Sequence, residues 1–282
     1  MKKPVVLVVG LGEVGLPLFE LLKESGKFDV YGWDINKEKM QIVEGKNALP
    51  DTVDIMHVCY PCQDQSSFVK ITVEYIEKFK PKLTVVNSTV PPGTTEKICK
   101  VSRSLIVHSP VRGTHKSKET MKKDLLFWTK YVGGLDKKAV EMACKHFEDL
   151  GLKTKVLKSP VETELAKLFE TTYRAWMIVC FQEMHRISRF FGADFNEVVD
   201  MLEDIHKVKF NKPLHFPGVI GGHGLIPNVE LLLKHYDCKL LELILESNEK
   251  RKEEVKDKKV IEETEKVRLR VEALEKELTR NM

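Results

Sequence analysis

The stretch Val5-Val6-Leu7-Val8-Val9-Gly10-Leu11-Gly12-Glu13-Val14-Gly15 decides the fold. Five apolar, mostly β-branched residues without polar alternation read as a strand buried on both faces, as in a parallel sheet. Three glycines spaced G-x-G-x-x-G follow at once, and Leu16 to Ser25 then reads as an amphipathic helix. Val30 to Trp33 is a second short strand that ends at Asp34, 19 residues beyond Gly15. Each glycine has its own reason. Gly10 permits a tight turn, Gly12 lets backbone approach a pyrophosphate, and Gly15 lets helix and strand pack closely. Glu13 and Val14 complete the turn, and the helix N-terminus that follows suits an anion. The Asp34 carboxylate suits ribose hydroxyls and repels a 2′-phosphate, so the pattern predicts NAD rather than NADP. The competing reading is a glycine-rich turn in an unrelated α/β domain.

Outward from this motif, strands are expected at Ile55–Cys59, Thr84–Asn87, Leu105–Val107 and Lys130–Val132, with helical patterns between several of them. That alternation predicts an α/β, Rossmann-type doubly wound parallel sheet over residues 1–158. Val161 to Phe191 reads as one long helix, with Leu165, Leu168, Phe169, Thr172, Trp176, Val179, Cys180 and Met184 at helical spacing. Gly192 ends it, and Asp194 can cap a following helix, Phe195 to Ile205. Residues 159–245 are therefore expected to form an all-α domain. Residues 246–282 carry 11 acidic and 11 basic side chains and no Gly or Pro. Val260, Val267 and Leu274, with Thr264, Val271 and Leu278, fall at heptad positions of a coiled-coil-like helix. The alternative is a single helix packed by its apolar stripe on the body.

Composition narrows the class. Of 282 residues 42% are apolar and 31% charged, which suits a soluble globular chain. A net charge of +4, with the signs interspersed, argues against nucleic acid. Pro4 to Val9 is too short for a secretory signal, and no run approaches the ~20 apolar residues of a membrane span. Six cysteines without a framework pattern point to a reduced, cytoplasmic protein. Cys59-Tyr60-Pro61-Cys62 has no second cysteine pair for zinc, so no metal site is expected, and structural cysteines are favoured over a redox pair.

Longer motifs identify a family. Gly10 to Pro17, Cys59-Tyr60-Pro61-Cys62, Ser88-Thr89-Val90-Pro91-Pro92-Gly93-Thr94-Thr95, Ser109-Pro110, Val132-Gly133-Gly134, Glu164 to Phe169 and Phe216 to Asn228 together resemble the UDP-glucose/GDP-mannose (nucleotide-sugar) dehydrogenases. The resemblance covers residues 4 to about 232. It implies that Tyr60, Pro61, Cys62, Ser88 and Thr89 join Gly10, Gly12, Glu13, Val14, Gly15 and Asp34 around NAD. It implies a catalytic role for Lys167 and His223, and substrate contacts from Thr171, Gly221, Gly222 and Asn228. It also implies a homodimer or higher homo-oligomer built on the long helix.

The departures carry as much weight. The family's acid after Ser-Pro is Val111, its asparagine four residues after the lysine is Thr171, its cysteine after Gly-Gly-His is Gly224, and its following aspartate is Asn228. The resemblance also leads to the expectation that this is a truncated member, without the family's C-terminal nucleotide-closing domain. Without the thiol, oxidation of aldehyde to acid through a covalent thiohemiacetal has no nucleophile at its usual place. The expectation is an NAD-dependent oxidoreductase that acts on a hydroxyl of a sugar nucleotide or related small substrate and stops after one hydride transfer. Lys167 or His223 would serve as its acid/base group. Residue by residue, the competing readings are a solvated helix lysine and a turn-shaping histidine. For the whole chain the alternative is a catalytically inactive NAD-binding or assembly protein. A minor third reading has Cys62 replacing the lost thiol.

Overall fold

The computed structural model describes residues 3–43, 49–113, 117–194, 197–201, 216–221 and 237–262, together with 226, 229, 233, 264–265, 268–269 and 272–273. Among the described residues there are seven strands: β1 (Val5–Val9), β2 (Asp29–Trp33), β3 (Ile55–Val58), β4 (Leu83–Val86), β5 (Ile106–His108), β6 (Lys130–Gly134) and β7 (Thr154–Val156). They form one sheet in the order β2-β1-β3-β4-β5-β6-β7. The first five are parallel, β6 runs antiparallel to β5, and β7 is parallel to β6. The doubly wound sheet is thus mostly parallel, with a reversed pair at one edge. β7 is absent from the sequence reading because Thr154-Lys155-Val156 is short and largely exposed at that edge.

Helices among the described residues include α1 (Gly15–Glu24), α2 (Lys37–Ile42), α3 (Gln65–Phe79), α4 (Thr94–Ser102), α5 (Lys118–Phe127), α6 (Lys137–Asp149), α7 (Pro160–Phe190) and α8 (Lys239–Glu254). Alternation of side chains along β1 explains its unbroken apolar run. Val6 and Val8 join a core layer with Leu18 and Leu22 of α1 and Phe147 of α6. Leu7 and Val9 join the opposite layer with Phe68 and Ile76 of α3 and Ile98 of α4. A strand covered on both faces has no solvent side to mark with polar residues.

Capping separates ordinary helices from special ones. Asn36, Asp64, Ser117 and Asp136 each accept a backbone N–H of the helix they precede, α2, α3, α5 and α6 respectively. α1 and α4 have no side-chain cap of their own. α1 starts just beyond the C-terminal end of β1, where α/β sheets bind ligands.

The chain divides into two compact units, Met1–Arg174 and Ala175–Met282. The sequence reading sets a boundary at 158/159, at the start of α7, whereas the unit boundary lies half-way along that helix. In the second unit, α8 holds a buried Asn248 whose side chain pairs with both backbone groups of Ile220, at 2.8 and 3.2 Å. Thr264, one of the heptad positions, is buried and returns its hydroxyl to the Val260 carbonyl. Val267, Val271, Leu274 and Leu278 lie outside the described residues. Among the described residues no helix is long and apolar enough to cross a membrane.

A polar layer lies inside the sheet unit. Asn87 Nδ2 donates to His57 Nδ1 at 3.0 Å, so His57 carries its proton on Nε2 and donates to His146 Nε2 at 2.9 Å. Burial holds the His57 imidazole well below its ordinary range and lowers His146 and His108 to about 4. The unfolded chain protonates these histidines near pH 6.5, whereas the folded chain keeps them neutral. Below that pH the unfolded state binds the extra protons, and stability is lost as pH falls. We expect the melting temperature to drop steadily from about pH 6.5 toward pH 4. A melting temperature that is flat from pH 6.5 to 5 would contradict the buried neutral histidines.

Candidate functional site

The glycine turn after β1 is fixed from within. Gly10 adopts φ +90°, and a Cβ there would sit 2.7 Å from the Tyr60 amide nitrogen. At Gly15 a Cβ would fall 1.7 Å from the Gly10 carbonyl oxygen. No side chain fits at either position. Gly12 differs: a Cβ there would meet only Lys39 Nζ, at 3.9 Å. The space beside Gly12 is therefore left for something other than protein. Together with the uncapped start of α1, it fits the pyrophosphate of a dinucleotide.

Asp34 stands at the end of β2, as expected. It accepts from Leu11 N at 2.7 Å and Asn36 N at 2.8 Å, so it also holds the glycine turn from behind. Lys39, on α2, lies 3.6 Å from the same carboxylate. The sequence reading misses this neighbour, because four residues and a helix start separate it from Asp34.

A cavity of about 670 Å³ opens beside the turn. Gly12, Glu13 and Val14 line one side, residues 59–62 and 87–92 line the next, and Lys167 closes it from α7. The structure thus brings together most of the residues singled out around the cofactor. Gly10 and Gly15 shape the turn behind it, and Asp34 lies beyond that turn. Ser88 spends its hydroxyl on the Tyr60 carbonyl, at 2.6 Å, and so ties the loop after β4 to the loop after β3. The Tyr60 hydroxyl bonds Thr72 at 2.6 Å, and burial pushes this phenol well above its ordinary range.

The two thiols beside the cavity are poor nucleophiles as they stand. Burial pushes Cys59 up to about 12, and burial with the Asp64 charge raises Cys62. A reactive cysteine needs the opposite shift. All six cysteines are free.

Lys167 projects from α7 with its side chain 14% exposed, and its Nζ donates to Glu170 at 2.9 Å. It lines the large cavity and also a second one of about 280 Å³, shared with Pro110, Arg112, Tyr131 and Glu170. Its placement rests on Glu164, one turn earlier. That buried carboxylate accepts from Gly93 N at 2.6 Å, Thr95 N at 2.9 Å and Thr95 Oγ1 at 2.6 Å. It thereby caps α4, whose own cap position is a glycine with φ +84°. Burial outweighs these bonds and leaves the Glu164 carboxyl raised above its ordinary value. The sequence quotes Glu164 only as part of a motif. Pairing a buried acid with an uncapped helix 70 residues away leaves no local signal.

Other expected residues are placed differently. Thr171 is exposed, bonds the Leu168 carbonyl at 3.0 Å and is not among the residues lining either cavity. Gly221 follows the backbone clamped by Asn248, in the second unit. Gly222, His223, Gly224 and Asn228 lie outside the described residues.

Glu164→Ala leaves the α4 amides without their buried acceptor, at a cost of about 1–3 kcal/mol. For a unit of this size that corresponds to a fall of roughly 2–10 °C in melting temperature. Calorimetry of the variant checks it, and an unchanged melting temperature would remove the capping role.

Residues 161–250 match the central domain of the UDP-glucose/GDP-mannose dehydrogenase family. The UDP-N-acetyl-D-mannosamine dehydrogenase of Methanocaldococcus jannaschii is 30% identical over 77% of this chain and 58% of its own length. Its Pyrococcus horikoshii counterpart is 26% identical over 82% of this chain and 64% of its own. The chain therefore spans about three fifths of the length of these relatives. In fold it is similar to the crystal structure of GDP-mannose dehydrogenase from Pseudomonas aeruginosa, with a TM-score of 0.68 at 19% identity, over 87% of this chain and 68% of that one. The glycine turn, the Ser-Thr-Val-Pro-Pro-Gly-Thr-Thr loop and the α7 lysine all meet at one cavity, and residues 161–250 carry the central domain of the UDP-glucose/GDP-mannose dehydrogenase family.

Proposed function

We propose that this chain binds NAD in the larger cavity and oxidises a hydroxyl of a nucleotide sugar, or of a related small substrate, held beside Lys167. The observation that carries the reading is the position of Lys167, which lines both cavities at once. The start of α1 and Gly12 would hold the pyrophosphate, Asp34 the adenosine ribose, and the loops at Tyr60–Cys62 and Ser88–Thr89 the remainder. When bound there, NAD supplies the acceptor for a hydride. Lys167 handles the hydroxyl proton, and its charge stabilises the oxygen from which that proton leaves. Glu170 fixes the Nζ in place, and Glu164 anchors the helix that carries it. The names of the relatives favour UDP-N-acetyl-D-mannosamine as the first substrate to try.

The reaction ends at the carbonyl. Gly224 stands where the family's thiol would be, and the thiols beside the cavity, Cys59 and Cys62, are held in the protonated form. His223 remains a proposed partner of Lys167 in proton transfer, and Gly221, Gly222, Asn228 and Thr171 remain proposed substrate contacts. A second reading keeps NAD and drops the chemistry. It is favoured by Thr171, whose hydroxyl is spent on its own helix rather than offered to a ligand.

NAD titration followed by a panel of UDP- and GDP-sugars separates the two readings. The expected result is one NADH per substrate consumed, with no acid product. Lys167→Met should lower turnover by about 10²–10⁴-fold and leave NAD affinity within a few fold. NAD binding with no NADH from any sugar would favour the binding protein.

We further propose that the chain pairs with a second copy through α7. Phe169, Tyr173 and Trp176 follow at i, i+4 and i+7, and Phe169 and Trp176 are each 61% exposed in the single chain. Sedimentation should give a dimer, and Phe169→Glu with Trp176→Glu should give a monomer. A wild-type monomer at micromolar concentration would count against this surface.

A further inference from the structure

Lys130 opens β6 at the reversed edge of the sheet and is 5% exposed. Its Nζ donates to the Ser109 carbonyl at 2.8 Å and the Pro110 carbonyl at 3.2 Å, and lies 5.0 Å from the centre of the Phe147 ring. Those carbonyls begin the loop 109–113 after β5. Its residues alternate between the two cavities: Val111 and Gly113 line the larger, Pro110 and Arg112 the smaller. The far end of the loop is held loosely, by Val111 N to the Asn87 carbonyl at 3.4 Å and by Arg112 stacked 4.3 Å from the Trp128 ring centre. One buried amine thus supplies the short bonds at the root of the wall between the cavities.

We propose that Lys130 is a positioning residue: by binding the Ser109 and Pro110 carbonyls it holds the loop that divides the large cavity from the smaller cavity beside Lys167. Its consequence for ligands rests on the nucleotide-binding reading above, whereas the state of the loop does not.

The environment makes this hold depend on pH. Cys59 at the end of β3, His57 on β3, His108 on β5 and Lys167 on α7 are the titratable groups whose charge acts on or responds to Lys130. None is a carboxylate. Burial, with the Lys167 charge added, lowers the Lys130 ammonium to about 7. An ammonium makes charge-assisted bonds to carbonyls, and a neutral amine makes weaker ones. The loop is therefore held more firmly below pH 7 than above it.

The test is amide hydrogen exchange across residues 109–113 between pH 6 and 9, corrected for intrinsic rates, in the wild type, K130R and K130M. The wild type should lose protection by roughly fivefold or more as pH rises, with a midpoint near 7. K130R keeps its charge and should stay protected at every pH. K130M should be weakly protected throughout. A flat wild-type profile, a K130M loop as protected as the wild type, or a K130R profile that retains the step would each overturn the proposal. Should K130M fail to fold, the wild type and K130R still decide it. NADH affinity measured by fluorescence over the same range should weaken with the loop. Should no variant bind NADH, the nucleotide reading fails while the exchange result stands.

Discussion

A single buried carboxylate, Glu164, does the joining on which the site depends. Its oxygens take two backbone amides and a hydroxyl at the start of α4, a helix that begins with a glycine and so has no cap of its own. Burying an ionisable group costs several kcal/mol, and here three hydrogen bonds offset part of that cost, burial still leaving the carboxyl raised. The geometry has a consequence beyond stability. Glu164 and Lys167 are one turn apart, so whatever fixes the carboxylate fixes where the lysine emerges. The Ser-Thr-Val-Pro-Pro-Gly-Thr-Thr loop is thereby bound to the very helix turn that faces the cavity. Cavity wall and lysine become parts of one piece.

The first half of the fold was legible for a physical reason. A central parallel strand must be apolar on both faces, and the turn after β1 admits only glycine at two points, where an added Cβ would overlap backbone. Both demands write themselves into local sequence. The reversed direction of β6, expected as a strand at Lys130–Val132, and the existence of the short edge strand β7 do not, because strand direction has no local signature and an exposed edge strand carries no unbroken apolar run. At the site the division is similar. Gly12, Asp34 and Lys167 sit in motifs. Glu164, Lys39 and Lys130 act on partners in other elements, and spacing along the chain says nothing of that. Thr171 shows the reverse case, a motif position whose hydroxyl the helix itself consumes.

Beneath the cavity floor the unit holds an uncommon amount of buried polarity. His57, Asn87 and His146 form a chain of hydrogen bonds, while Lys130 and His108 bond to carbonyls in the loops above. Apolar side chains of the same volume would stabilise the fold at least as well. What a polar layer adds is direction. His108 donates to the Ser88 carbonyl, Lys130 to Ser109 and Pro110, and each bond fixes a loop at the C-terminal end of a strand. Loops there have no ladder partners, so buried side chains take over the work that β-pairing does below.

This placement bears on what became of the family's thiol chemistry. Cys59 and Cys62 lie beside the large cavity, yet burial raises Cys59, and burial with the Asp64 charge raises Cys62, so both stay protonated. A thiolate forms readily only where positive charge or a helix N-terminus lowers its pKa. The helix N-terminus here, that of α1, lies beside Gly12, and the ammonium whose charge acts on Cys59 is Lys130, itself lowered to about 7. With Gly224 in the position of the nucleophile, neither thiol beside the cavity is electrostatically prepared to take its place. The same burial that rigidifies the cavity wall leaves both thiols ill suited to forming a covalent bond.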